Sequence, residues 1–427
     1  MGMDAPLPLR LPNLETLMER GTTFTRAITS SPLCAPARAS LASGLRYPRS
    51  GVFSNKYDLS PQRRTFYSVL KENGYIVCGV GKFDLHKKTR WWGLDGWIPE
   101  LEQLGFTVAI DNAGKQDAVS TGKESPQDPY MKYLYDQGLA EVHLTDMAGR
   151  AKEKRHNTEP TSLPEETYCD NWIGQNGVRM LRSFPKDHPW FMIVNFTGPH
   201  APWDVTERMR AAWEKVDFPP PHRSDPAMRE TNNSVRQNYA AMLENIDRNV
   251  GLLLDEVESR GELANTVVIY VSDHGDMLGD NRRFNKSIPD RGSIHIPLVI
   301  CGPGVSQGAL SDALVELQDL AGTIVDYAGA KMPEAADSRS LRPLLEGDKH
   351  AHREVQVSAL NETHDGRGSW KTIIDRHYKL VIHSVHDAQL YNIVQDPWED
   401  YDIAGQHPDI VARMQAQLES ELGEKHR

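Results

Sequence analysis

"RQNYAAMLENIDRNVGLLLDEVESRGELANTVVIYVSDHGD", residues 236–276, decides the architecture of this chain. It opens with apolar residues at helical spacing, breaks at Gly261, and passes into a β-branched run that ends on Asp273, His274 and Asp276. A helix handing over to a short, wholly apolar strand is the repeating unit of an α/β sheet. The same build recurs upstream, where "RRTFYSVLKENG" (63–74) leads into "YIVCGVG" (75–81). "WFMIVNF" (190–196) and "IPLVICG" (296–302) add two further runs. Such runs read as strands buried on both faces. Their alternation with helices predicts an α/β fold with a large, mostly parallel sheet covered by helices. Ligands of such sheets gather at the carboxyl ends of the strands, so the residues that follow each run carry the function.

Those residues form a consistent set. The first strand runs into Gly81, Lys82, Phe83, Asp84, Leu85 and His86; the second into Thr197, Gly198, Pro199, His200, Ala201, Pro202 and Trp203. The third runs into Ser272, Asp273 and His274, and the fourth is preceded by "RRFNKSIPDRGSIHIP", which contains Lys286. Taken singly, a loop lysine or histidine is more often solvated than functional. Four such clusters at one end of a sheet suit a tetrahedral oxyanion, sulfate or phosphate, held by several donors. Asp273 and His274 offer an oxygen and a nitrogen to a divalent cation, which would polarise the anion and activate a nucleophile.

The totals bound the rest. The chain has 427 residues, 39% hydrophobic and 25% charged, as a globular protein does. Lysine and arginine number 48 against 59 acidic residues, a net charge of −11, which argues against nucleic acid as a partner. No apolar run reaches the ~20 residues of a membrane span, and no membrane partner is expected. The four cysteines, Cys34, Cys78, Cys169 and Cys301, follow no zinc spacing and are too few for a disulfide framework, which reads as a cytoplasmic protein. Residues 107–170 are polar and irregular and read as an insertion over one edge of a catalytic domain spanning 1–344. From 345 to 427 a small α+β subdomain is expected, with antiparallel strands in "HYKLVIHSV" (377–385) and a terminal helix over 408–425. Whether this tail joins two copies into a homo-oligomer is left open.

"SSPLCAPARASLASG" (30–44) places Cys34 two residues before Pro36 and four before Arg38, ahead of a helix expected to start near Ala37. A buried thiol in a turn would explain the cysteine alone. The spacing, however, resembles the C-x-P-x-R signature of the formylglycine-dependent sulfatases of the alkaline phosphatase superfamily. Four further stretches resemble that family in order: "GVGKFDLH", "FTGPHAPW", the 236–276 segment and "LYNIVQDPWEDYDIA". The resemblance implies an alkaline-phosphatase-like sandwich. It implies that Cys34, matured by a formylglycine-generating enzyme, becomes an aldehyde whose hydrate is both nucleophile and metal ligand. A geminal diol suits the task because one hydroxyl attacks and the other later expels sulfate as the aldehyde re-forms. By the same resemblance Arg38 holds the diol, and Asp273 and His274 bind the cation. Lys82, His200 and Lys286 grip the sulfate, with His200 placed to protonate the leaving oxygen. The cation implied is Ca²⁺, while the imidazole ligand also admits Mn²⁺ or another transition ion.

Two departures from the family pattern stand out. The histidine expected two residues after Lys82 is replaced by Asp84, and His86 is the nearest substitute. The family's opening strand with two adjacent aspartates has no counterpart, since "MGMDAPL" is short and polar. The expectation is a chain that starts at an internal methionine; on that reading the given chain binds metal weakly and turns over little. A periplasmic or secreted protein then becomes an alternative to a cytoplasmic one. Three functions remain: sulfate ester hydrolysis, phosphonate monoester or phosphodiester hydrolysis at the same site, and an inactive sulfatase-like binding protein. The organic part of the substrate is sought in 107–170 and in the aromatic "RWWGLDGW" (90–97).

Overall fold

The computed structural model describes residues 9–153, 156–361 and 368–423, so the opening "MGMDAPL" lies outside the described residues. In chain order the strands are β1 (Gly21–Phe24), β2 (Ala27–Ile28), β3 (Ile76–Gly81), β4 (Val108–Asp111), β5 (Trp190–Asn195) and β6 (Val268–Val271). They continue as β7 (Leu298–Cys301), β8 (Ala309–Ser311), β9 (Val315–Glu316), β10 (Gln356–Leu360), β11 (Trp370–Ile374), β12 (Tyr378–His383) and β13 (Gln389–Asn392). The chain divides into two compact units. One comprises Met1–Leu17, Tyr67–Thr266 and Met277–Phe284; the other comprises Met18–Phe66, Val267–Asp276 and Asn285–Arg427.

In the first unit β4, β3 and β5 form a parallel sheet in that order. Parallel neighbours require crossovers, which here are helical. Segment 107–170 is ordered where an irregular path was expected. It supplies β4, paired with β3 from Cys78↔Val108 to Gly81↔Asp111, and then helices Gly114–Thr121, Pro129–Asp136 and Ala140–Lys152. Its apolar residues are sparse but correctly spaced: Tyr130, Met131 and Leu134 are buried, and Asp128 caps their helix by accepting from Met131 N at 2.9 Å. The polar residues between them had masked that period. The long helix Arg229–Ser259 follows its sequence pattern and starts seven residues before the quoted stretch.

The second unit holds a four-stranded sheet in the order β6-β7-β1-β8. β7 runs antiparallel to both β6 and β1, while β1 pairs parallel with β8, so this sheet is mixed. Phe24, Leu298, Ile300, Val315, Leu317 and Leu320 pack into its core. The tail forms the antiparallel meander β10-β11-β12-β13, and helix Pro408–Leu422 lays Met414 and Leu418 against Ile373, Leu380 and Leu390.

β5 and β6 depart from the expectation of strands buried on both faces. Every residue of both is only half-buried. Each is the end strand of its sheet. An apolar run guarantees a strand, but its rank in the sheet sets its burial.

A buried ion network locks the second unit. Arg46 forks onto Glu316, with Nε–Oε2 at 2.8 Å and Nη2–Oε1 at 3.0 Å, and also pairs with Glu421 of the terminal helix. Arg353 grips Asp319 through Nε at 2.8 Å, and His352 adds a contact at 3.1 Å. Burial alone would raise the Asp319 pKa, but these partners hold it well below the usual carboxylate range. Removing one partner of a buried pair strands the other charge. Arg353→Met is therefore expected to cost about 3–5 kcal/mol, read as a lower midpoint in urea unfolding.

His295 gives a second, pH-dependent prediction. Its Nε2 donates to Thr25 O at 2.9 Å. Burial, with Arg291 and Arg26 nearby, pushes its pKa down to about 4. The fold prefers the neutral ring, so this stability is full above the unfolded value of about 6.5 and is lost as pH falls towards 4. His295→Gln should flatten the decline of melting temperature across that window.

Candidate active site

A candidate site is built within the second unit, where a helix begins and a strand ends. Helix Cys34–Ser43 starts at Cys34 itself, three residues before the expected position. Leu33 stands outside it in an extended conformation, and Pro36 falls in the first turn, where its missing N–H costs nothing. Eight of its ten residues are buried, which the run of alanines and serines allows. Cys34 thus sits at the amide-rich end, where an anion is favoured. Arg38, one turn on, shares its face.

β6 ends at Val271 and delivers Asp273 and His274 opposite that helix start. Arg38 Nε donates to Asp273 Oδ2 at 2.9 Å, and Cys34 Sγ lies 3.4 Å from His274 Nε2. One donor atom from each of Cys34, Asp273 and His274 falls within 4.8 Å of the others. The histidine is oriented from behind: its Nδ1 donates to Gly275 O at 2.8 Å, which leaves Nε2 as the lone-pair nitrogen facing Cys34. Asp273 Oδ1 accepts from His274 N at 3.1 Å, so the two side chains fix each other. Gly275 is required, because a Cβ there would stand 2.1 Å from Gly292 O. A carboxylate oxygen, an imidazole nitrogen and the residue-34 side chain fit a divalent cation.

Lys286 lies in the same unit, between Asn285 and Ser287, whose φ angles are 68° and 79°. Asp276 Oδ1 accepts from Asn285 N at 3.0 Å, and Trp370 Nε1 donates to Ser287 O at 3.2 Å. The backbone on both sides of the lysine is thereby pinned.

Lys82, His86 and His200 belong to the first unit. Lys82 pairs with Asp84, and Lys87 Nζ reaches the same Asp84 oxygen at 3.0 Å and Asp117 at 3.0 Å. Asp84, in the place expected of a histidine, thus organises two lysines. His86 is 4% exposed, its Nε2 lying 3.5 Å from Asp111 Oδ2 and its ring 5.9 Å from that of Trp92. Asp111 Oδ1 also accepts from Phe83 N at 2.9 Å, which fixes the turn after Lys82. His200 lies in the loop after β5, its Nδ1 bonded to Ala201 O. Of "RWWGLDGW", Trp92 is buried while Trp91 is 44% exposed. Sequence reading missed Asp111, Lys115 and Asp170, the buried charges behind these loops. Their one signal is position: Asp111 ends an apolar strand, as Asp273 nearly does.

An α/β core that brings a cysteine at a helix start together with a carboxylate and an imidazole offers the groups a metal-assisted hydrolase uses. The sulfatase family model matches residues 3–330, and the model of the N-sulphoglucosamine sulphohydrolase C-terminal region matches 279–427. The chain belongs to the sulfatase family and is a sulfuric ester hydrolase. An arylsulfatase of Clostridium perfringens is 25% identical over 93% of this chain and 86% of its own length. Arylsulfatase K of Xenopus laevis is 26% identical over 96% and 77%, and the choline-sulfatase of Rhizobium meliloti is 25% identical over 92% and 77%. Among solved structures, BT4656 in complex with D-glucosamine-2-N,6-O-disulfate aligns with a TM-score of 0.78 at 17% identity, over 98% of this chain and 94% of that one. The phosphonate monoester hydrolase of Silicibacter pomeroyi aligns with a TM-score of 0.80 at 22% identity, over 98% and 91%. The fold is the alkaline-phosphatase-like α/β fold, carrying a C-terminal subdomain.

Asp273→Asn keeps the side chain's shape but gives up the charge that faces the cation. It is expected to weaken Mn²⁺ or Ca²⁺ binding by about 10-fold or more, measured by isothermal titration on the purified chain.

Proposed function

We propose that this chain hydrolyses sulfate esters through the hydrate of a formylglycine derived from Cys34, beside a divalent cation held by Asp273 and His274. The observation that carries the reading is the meeting of the Cys34, Asp273 and His274 donor atoms within 4.8 Å, with Arg38 bonded to the aspartate. The cation, when bound, polarises a sulfuryl oxygen and favours the ionised nucleophile. His274 turns Nε2 towards it, because its other nitrogen is engaged by Gly275 O. Arg38 places a permanent positive charge one helical turn from residue 34, and Lys286 is offered from a loop fixed on both sides.

For Lys82, His86 and His200 the support is the likeness of their two motifs to the family's loops. Lys82 is assigned a sulfate oxygen, His200 the proton for the leaving oxygen, and His86 a contact to the diol. The resemblance makes the cation Ca²⁺; one imidazole and one carboxylate among the donors also suit Mn²⁺. Maturation requires a formylglycine-generating enzyme, and the absence of disulfides among the four buried cysteines supports a cytoplasmic location. No helix among the described residues is long and apolar enough to cross a membrane.

Phosphonate monoester hydrolysis is the competing activity, favoured by the likeness to the Silicibacter pomeroyi enzyme. The test is a peptide mass at residue 34 after co-expression with the maturation enzyme, followed by parallel assays on 4-nitrophenyl sulfate and a phenylphosphonate ester. An aldehyde at position 34 and a higher kcat/KM on the sulfate are expected. Cys34→Ala should lower that rate by about 10³-fold or more. A persistent thiol would reject the reading in favour of a binding protein; preference for the phosphonate would reassign the substrate.

A further inference from the structure

The loop that carries His200 is anchored on both sides by buried charges with no assigned part in the reaction. Before the histidine, Asp170 at the start of helix Cys169–Ser183 gathers the backbone. Its Oδ1 accepts from Thr197 N at 2.6 Å, Thr197 Oγ1 at 2.9 Å and Gly198 N at 3.1 Å, while Oδ2 lies 3.0 Å from Gly198 N. The approach is so close that a Cβ on Gly198 would stand 2.5 Å from Asp170 Oδ2. After the histidine, Lys115 Nζ donates to Pro202 O at 2.7 Å and pairs with Asp204. Tyr168 Oη donates to Asp204 O at 3.0 Å, and Asn238 Nδ2 donates to Trp203 O at 2.6 Å. The Lys115 and Asp204 side chains are 3% and 2% exposed, and Asp170 is fully buried.

These anchors continue into the other loop. Lys115 lies four residues after Asp111, whose carboxylate holds Phe83 N beside Lys82. His143 Nε2 is bonded to Lys115 O at 2.8 Å, which secures the intervening backbone. A short segment, 111–115, thus reaches the turn after Lys82 from one end and the His200 loop from the other. Burying a lysine and two aspartates is costly, and neutral groups could hold a loop more cheaply. Charged anchors resist displacement more steeply, because any stretch leaves a charge poorly paired in a low dielectric.

We infer that Lys115 and Asp170 are positioning residues for His200, fixing its loop from opposite sides so that the imidazole is held ready for the leaving oxygen. The inference rests on the reading of His200 as the proton donor. A misplaced acid is felt most where the leaving group needs its proton. The effect should therefore grow with leaving-group basicity, whereas a loss of general stability would slow all substrates alike.

The test uses the full chain matured at residue 34. The main variant joins Lys115→Met with Asp204→Asn, so that no buried carboxylate is left without its lysine; Asp170→Asn is a second variant that keeps an oxygen facing Thr197. Each is assayed on 4-nitrophenyl sulfate and on phenyl sulfate, whose leaving oxygen is far more basic, alone and combined with His200→Ala. We expect kcat on phenyl sulfate to fall about 10²-fold with KM unchanged, with a loss on 4-nitrophenyl sulfate at least about tenfold smaller. Combination with His200→Ala should add nothing further. Equal losses on both substrates where His200→Ala alone is selective, or losses that add to those of His200→Ala, would overturn the inference. If His200→Ala alone slows both substrates equally, the acid role falls, and the combined variants still decide positioning: a shared loss upholds it and an additive loss rejects it.

Discussion

The contact between Arg38 and Asp273 organises the catalytic part of the second unit. It ties the second turn of a helix to the loop just after a strand, more than two hundred positions away in sequence. Everything reactive is measured from that point: Cys34 lies one turn before the arginine, and His274 one residue after the aspartate. A guanidinium cannot lose its charge, so Asp273 faces a permanent partner whether or not a cation is present. The carboxylate has two oxygens to share. Oδ2 goes to Arg38 and Oδ1 to the His274 amide.

That arrangement also explains why the helix begins where it does. The sequence reading places that start near Ala37. In the structure Pro36 lies inside the first turn, where a proline is tolerated, and the helix starts at Cys34. The shift is small but chemically decisive. A residue at the first helical position sees unpaired amides, and a residue three positions earlier would not.

Much of the architecture was legible because its signals are local. "YIVCGVG", "WFMIVNF" and "TVVIYVSD" became β3, β5 and β6, and the helix before β6 followed its apolar period. The motif residues in the second unit came together: Cys34, Arg38, Asp273 and His274 were all read from short stretches. Burial of whole strands was not legible, because it depends on which strand lies at the end of a sheet. β5 and β6 have the composition of central strands yet are only half-buried. Segment 107–170 hid its order for another reason. Its buried residues include Asp111, Lys115 and Asp128, polar groups held by partners distant in sequence. A polar residue looks the same in a sequence whether water or a buried partner solvates it.

Asp84 shows how such pairing alters the meaning of a substitution. A carboxylate in place of a histidine, two residues from a lysine meant for an anion, would seem to cancel that lysine's field. Asp84 Oδ2 is shared by Lys82 and Lys87, and Lys87 is shared in turn with Asp117. Asp84 also occupies a left-handed backbone position, φ 55°, which aspartate tolerates better than most residues. The carboxylate therefore acts as a brace that holds Lys82 in a fixed orientation. A lysine so braced gives up little side-chain freedom when it meets an anion, and the entropy lost in ordering its flexible stem is already spent in the fold.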